Sequence, residues 1–328
     1  MADYKYDVAA LGELLIDFTE NGTSGQGNPI YEANPGGAPC NVLSMLKRLG
    51  HNVAFIGKVG NDIFGRQLKE AVENVGIDIS GLVTDNDVRT TLAFVETLPG
   101  GDRDFSFYRN PGADMMLNPD EINCKIIRSA RIFHMGTLSM THEPVRSATC
   151  KAIAAAQSAK AMISFDPNIR EPLWDDMKDA KRQTAFGLSV CDILKISDNE
   201  IQWFTGKQDF DEGIKKIQDE YTIPLILLSL GKDGSRAYLK NNVTDVKAEV
   251  PAFVRDDTIE TTGAGDTFGG CCLHYILEHC PQQTDINEVD WTEDDLKEML
   301  TFANKAASII TTRKGALAVM PTPEEIQN

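Results

Sequence analysis

Short apolar runs alternate with helical spacings over most of this chain. Val8–Ile16, Val53–Ile56, Ile132–Met135, Met162–Phe165, Ile193–Ile196 and Leu225–Leu230 read as buried strands. Between and after them, apolar positions recur every three or four residues over Pro39–Leu49, Phe64–Val75, Pro144–Ala159, Glu200–Thr205, Phe210–Tyr221, Thr267–His279 and Leu296–Thr311, which predicts helices. Repeated strand–helix units of this kind build a mainly parallel sheet with helices on both faces. Ligands of such folds sit beyond the C-terminal ends of the strands, so Asp17, Asp166, Ser197 and Ser229 become candidate contacts.

One region breaks the rhythm. Thr90–Leu98 and Arg103–Arg109 read as two strands around the turn formers Pro99-Gly100-Gly101-Asp102, with Phe105 and Phe107 on one face. A hairpin outside the strand–helix series predicts a small β lid over the ligand edge, its strands within about residues 12–35 and 88–112. Such a lid excludes water, and its edge offers a surface for a homodimer. No repeat or linker marks a second unit, so residues 1–328 are expected to form one α/β domain.

Composition narrows the function. The 328 residues are 42% hydrophobic, enough for a large core, and the net charge of −17 argues against nucleic-acid or acidic-membrane partners. Without an 18-residue apolar run or a signal-like start, the chain reads as soluble and cytoplasmic. Its seven scattered cysteines lack metal-ligand spacing and read as reduced, mostly buried residues.

The stretch Glu260-Thr261-Thr262-Gly263-Ala264-Gly265-Asp266 carries the most chemistry. It runs straight into a helical pattern, so the first amides of that helix face outward at the positive end of its dipole. Gly263, Ala264 and Gly265 let an anion approach those amides closely, and Asp266 adds a carboxylate beside them. An anion pocket next to a base suits phosphoryl transfer to a hydroxyl. A dinucleotide fingerprint fails here, because Phe268 occupies the spacing its last glycine needs. Upstream, Gly36 and Gly37 precede a second helix whose first turn holds Asn41, and Asp17 follows Leu14-Leu15-Ile16. Close backbone approach, an amide and a carboxylate suit the recognition of ligand hydroxyls.

These residues resemble the ribokinase-like (PfkB) carbohydrate kinases. The resemblance runs from Gly12-Glu13-Leu14-Leu15-Ile16-Asp17 to Thr312-Arg313-Lys314-Gly315-Ala316. It rests on two blocks: Gly36-Gly37…Asn41 running on to Gly57…Gly60-x-Asp62-x-x-Gly65, and Thr261-Thr262-Gly263-Ala264-Gly265-Asp266. It implies that Asp266 is the catalytic base, that Gly263, Ala264 and Gly265 form the anion hole, and that Asp17, Gly36, Gly37 and Asn41 hold the sugar. It places Lys195, Ser197, Ser229, Gly231, Gly234 and Asn304 on the nucleotide side, with Glu200 organising Mg²⁺ through water. ATP and Mg²⁺ are the implied cofactors. A K⁺ site is implied at Glu260, Thr262, Thr312 and Gly315, although Glu260, Val319 and Ser197 stand where relatives more often carry Asp, Ser and Asn.

For the substrate, Asp166-Pro167-Asn168-Ile169-Arg170…Leu173-Trp174 and Gly37-Ala38-Pro39-Cys40-Asn41 resemble fructokinase stretches. Fructose is therefore expected, with transfer to its 6-hydroxyl. A 2-keto-3-deoxygluconate kinase is the alternative, in which Tyr108, Arg109 and Arg170 would bind a sugar carboxylate. Ribose, an already phosphorylated sugar, and a catalytically silent binding subunit stay open.

Overall fold

The computed structural model describes residues 4–97, 103–280 and 285–327, so the turn expected at Pro99–Asp102 lies outside the described residues. The strands are β1 (Tyr6–Leu11), β2 (Leu15–Thr23), β3 (Pro29–Gly36), β4 (Val53–Gly60), β5 (Asp78–Asp85), β6 (Leu92–Thr97), β7 (Arg103–Tyr108), β8 (Ala130–Gly136), β9 (Met162–Asp166), β10 (Ile193–Ser197), β11 (Leu225–Ser229), β12 (Ser235–Lys240) and β13 (Asp245–Val250). The helices are α1 (Ala38–Arg48), α2 (Ile63–Val75), α3 (Cys124–Arg128), α4 (Val145–Ala159), α5 (Met177–Val190), α6 (Asp198–Thr205), α7 (Phe210–Glu220), α8 (Ala264–His279), α9 (Glu293–Ile310) and α10 (Pro323–Gln327).

Nine strands form one sheet in the order β13-β12-β11-β10-β9-β8-β1-β4-β5, parallel except at the β11–β12–β13 edge. Apolar side chains fill both faces. α1, α8 and α9 cover one side, with Phe55, Phe268 and Leu300 in its core, while α4, α5 and α6 cover the other around Phe133 and Phe165. α8 is unusually apolar for a helix that begins at a ligand edge: Phe268, Cys271, Cys272, Leu273, Tyr275 and Ile276 are all buried. That packing fixes the direction of its N-terminus. Cys40, Cys191, Cys271, Cys272 and Cys280 are buried thiols, Cys124 is half-buried and Cys150 is exposed.

The expected lid is a separate four-stranded sheet of order β3-β2-β6-β7. Here the sequence reading of a single strand over Val8–Ile16 is corrected. The Gly12 amide closes the β4 pairing on Ile56 O at 3.2 Å, the chain crosses through Glu13 and Leu14, and Ile16 N bonds Thr91 O as the lid begins. Asp17 is consequently the third residue of lid strand β2, not the end of a core strand. Further elements went unforeseen: β5, the β12–β13 hairpin around Asn241-Asn242, α3, α5 and α10. The polar, interrupted patterns of these segments hide them from an apolar-run reading.

Two carboxylates root the lid. Asp62 caps α2 through Gly65 N at 2.8 Å, and it also accepts from Thr90 N and Thr90 Oγ1, each at 2.8 Å. The Gly57–Gly65 block thus ties α2 to the strand entering the lid. Asp114 receives the Arg109 guanidinium at 2.8 Å from the strand leaving it, and Thr91 from the strand entering it.

Candidate active site

A cleft of about 590 Å³ opens between the two sheets, where the C-terminal ends of β1, β9, β10 and β11 meet the N-termini of α1 and α8. Its walls include Asp17, Gly37, Asn41, Asn168, Arg170, Lys195, Ser197, Glu200, Ser229, Gly231, Thr262, Gly263, Gly265 and Asp266. A second cavity of about 310 Å³ adjoins it, sharing Ser229, Gly231, Thr261 and Gly265, and is lined by apolar Phe253, Val254, Phe268 and Ala307. The pair offers a polar compartment and an apolar slot, with the start of α8 between them.

Gly263 takes the left-handed conformation at the α8 N-cap, φ 76°, and a Cβ there would come 2.6 Å from Ala316 Cβ. No side chain caps this helix. The Ala264 amide donates to Thr261 O at 3.2 Å, whereas the Gly265 and Asp266 amides have no intrahelical acceptor to reach. Gly263 and Gly265 line the cleft, and Ala264 lines the apolar slot instead. The amides at this end without intrahelical acceptors are thus those of Gly265 and Asp266.

Asn41 Nδ2 donates to Asp266 Oδ2 at 2.7 Å, linking the first turns of α1 and α8. Burial pushes the Asp266 carboxyl above the usual carboxylate range. The Asn41 hydrogen bond and the positive fields of Lys195 and Arg170 oppose that rise. Asn41 Oδ1 is buried without a protein partner, so a ligand hydroxyl would satisfy it.

Lys195 reaches into the cleft from β10 and pairs with Asp166 at 3.0 Å. Burial alone would lower its ammonium, but Asp166, Glu200 and Asp266 together hold it above its ordinary value. Asp166 itself is pushed up by burial, to about 6, against the pull of Lys195. It lines a small cavity beside the cleft, and its Oδ1 is buried without a protein partner. Glu200 accepts from Ile169 N at 2.8 Å through Oε1 and from Ser197 N and Oγ through Oε2. Ser197 and Glu200 form the capping box of α6.

The Tyr108-Arg109 pair is corrected. Tyr108 is 65% exposed and packs edge-on against Phe94, while Phe107 is the β7 residue that lines the cleft. Arg109 is buried, with Nε on Asp114, Nη1 on Thr141 Oγ1 and Nη2 on Leu138 O. Neither side chain lines the cleft. Gly36 lies under Asp17, whose Oδ2 would meet an added Cβ at 2.4 Å. Gly234 and Asn304 line the apolar slot, but the Asn304 amide also holds Val250 O and Pro251 O, each at 3.2 Å. A small cavity of about 20 Å³ beside the cleft collects Glu260, Thr262 and Gly315, with Glu260 Oε1 accepting from Gly315 N at 2.8 Å. Thr312 does not line it.

Glu13 was missed as a site residue, since its neighbours read as strand interior. It is buried at the cleft floor, and its Oε1 accepts from Ala38 N at 2.9 Å, steadying the Gly36-Gly37 turn. Burial pushes its carboxyl up to about 7. Between about pH 4.5, its ordinary value, and about pH 7 the folded state binds more protons than the unfolded state, so stability falls as pH rises. Glu13→Gln is expected to flatten this slope in urea denaturation midpoints, and an unchanged slope would overturn the assignment.

The profile of the pfkB family carbohydrate kinases matches residues 5–323. The chain belongs to this family. It is therefore a phosphotransferase acting on a sugar hydroxyl. It is 41% identical over 322 residues to a protein named probable fructokinase-2 from Arabidopsis thaliana, covering 98% of this chain and 94% of that one. It is 39% identical to fructokinase-1 from Zea mays, covering 97% and 96%. Among solved structures, a fructokinase with bound ATP from Xylella fastidiosa superposes with a TM-score of 0.86 at 28% identity, covering 98% and 97%. A Vibrio cholerae fructokinase double mutant, with fructose, ADP and potassium ion bound, gives 0.85 at 29%, covering 100% and 99%. Among the described residues no helix of this kinase is long and apolar enough to cross a membrane.

Proposed function

We propose that this kinase transfers the γ-phosphoryl group of ATP to the 6-hydroxyl of D-fructose. The observation that carries the reading is Asp266 in the polar cleft, held by Asn41 and next in the chain to Gly265, which lines both cavities at the start of α8. The polar compartment takes the sugar and the apolar slot the adenine. Asp17, Asn41, Asn168 and Arg170 offer the mixed donors and acceptors that a neutral polyol needs. For a sugar acid's carboxylate, Arg109 is out of reach, buried on Asp114, and Lys195 already pairs with Asp166. Relatives named fructokinase, and a neighbour holding fructose and ADP, support the same choice.

In the reaction the sugar hydroxyl lies against Asp266, which accepts its proton as the oxygen attacks phosphorus in line. The Gly265 and Asp266 amides and Lys195 stabilise charge on the transferred group. The lid excludes water, so the phosphoryl group passes to sugar rather than to solvent. Mg²⁺, when bound, screens the phosphate oxygens. The hard oxygens of Glu200 suit it, and with both already accepting hydrogen bonds, Glu200 would hold it through water. Glu260, Thr262 and the Gly315 loop offer oxygens for K⁺.

ADP release measured with fructose, ribose, 2-keto-3-deoxygluconate and fructose 6-phosphate, each in K⁺ and in Na⁺, tests this directly. Turnover on fructose, greater in K⁺, is expected. Turnover on the keto-deoxy acid alone would overturn the substrate, and silence on all four would favour a binding subunit.

The lid's outer face carries stacked Phe18 and Phe94 with exposed Ile30, Tyr31 and Tyr108, which supports a homodimer through the lids. Light scattering at micromolar concentration should read twice the chain mass, and the mass of one chain would overturn it.

A further inference from the structure

Far from the cleft, His51 just beyond α1 and His274 in the middle of α8 bring His51 Nε2 and His274 Nδ1 to 2.8 Å. Glu278 lies one helical turn past His274 on the same face, and one donor atom from each of the three falls within 4.8 Å of the others. We infer that His51, His274 and Glu278 form a binding site for a transition-metal dication of the Zn²⁺ class, strapping α1 to α8.

The geometry supports the donor set. Two imidazoles and one carboxylate, with an open fourth position for water, make a tetrahedral Zn²⁺ arrangement. The remaining ring nitrogen of His51, Nδ1, faces Asp7 Oδ2 at 3.5 Å, and Asp7 is itself held by Asn52 N at 2.9 Å. A carboxylate behind a histidine keeps the proton on the far nitrogen and turns the near lone pair outward, as in carboxylate–histidine–metal triads. His51 is buried and His274 packs against Phe302 with ring centroids 5.6 Å apart, so both imidazoles are pre-positioned, while exposed Glu278 leaves an entry path. Bonds of about 2.0–2.1 Å at a tetrahedral angle need the two nitrogens roughly 0.5 Å further apart than now, a small ring adjustment. Binding displaces the proton that now bridges the rings, and His274 regains it through solvent at Nε2, so both ligands stay neutral imidazoles.

The strap joins the helices whose first turns hold Asn41 and Asp266. On α8 it sits eight residues beyond Asp266, about 12 Å along the axis. It is therefore separate from any Mg²⁺ at Glu200.

The test titrates chelator-stripped, nucleotide-free kinase with Zn²⁺ against a chromophoric competitor, and follows Co²⁺ by its visible ligand-field absorption. One high-affinity ion per chain is expected, with tetrahedral Co²⁺ bands and a raised denaturation midpoint. His274→Gln should abolish the site and Glu278→Gln weaken it at least about tenfold, both keeping wild-type turnover without Zn²⁺. Since Glu278 is exposed, its variant tests the site even if His274→Gln folds poorly. Absence of stoichiometric binding, or binding that survives both substitutions, would overturn the inference and leave the two histidines as a simple hydrogen bond.

Discussion

Asp266→Asn should bind fructose and ATP with near wild-type affinity yet release ADP at least ~100-fold more slowly, the low end for loss of a general base. The amide has the carboxylate's shape, and its oxygen can still accept from Asn41 Nδ2, so the α1–α8 contact survives. What disappears is the capacity to take a proton. Because burial lifts the Asp266 carboxyl above the usual range, the wild-type rate should fall on the acid side as that group protonates. Calorimetry would establish the binding and coupled ADP detection the rate. Activity above a tenth of wild type would remove Asp266 from the role of base.

The largest stability effect is expected at Arg109. Its guanidinium and the Asp114 carboxylate are only 2% and 3% exposed, and the pair joins the strand leaving the lid to the body of the molecule. Arg109→Met leaves Asp114 charged, buried and unpaired, an error that costs about 3–5 kcal/mol. Adding Asp114→Asn should recover part of the loss, since the stranded charge goes with it. Urea denaturation of wild type, the single variants and the double variant measures this coupling. A loss below about 1 kcal/mol, accompanied by a raised KM for sugar, would instead return Arg109 to the substrate.

Arg109 shows where sequence reading stops. Arginine beside tyrosine at the end of a lid strand looks the same whether it turns into the cleft or away from it. Only the partner, Asp114, decides, and nothing in the spacing announces it. Glu13 is the converse case: a carboxylate inside an apolar stretch reads as part of a strand until the chain is seen to cross there between two sheets. Asp266 and Asn41 were legible because helix starts have local signatures and because both blocks resemble a family's motifs. Their direct contact across 225 residues was not. The parallel sheet followed from its apolar runs, while α5 and the β12–β13 edge lacked such runs and stayed hidden.

The thiols packed along α8 and α1 make the protein its own reporter. Cys40, Cys271, Cys272 and Cys280 sit where α8 meets the rest of the core, and among the seven Cys150 alone is exposed. An alkylating reagent should therefore mark the native chain at Cys150 first, and reach the adjacent pair at 271–272 only when the helix bearing Asp266 detaches. Counting labels by mass would then follow the opening of that helix separately from loss of activity.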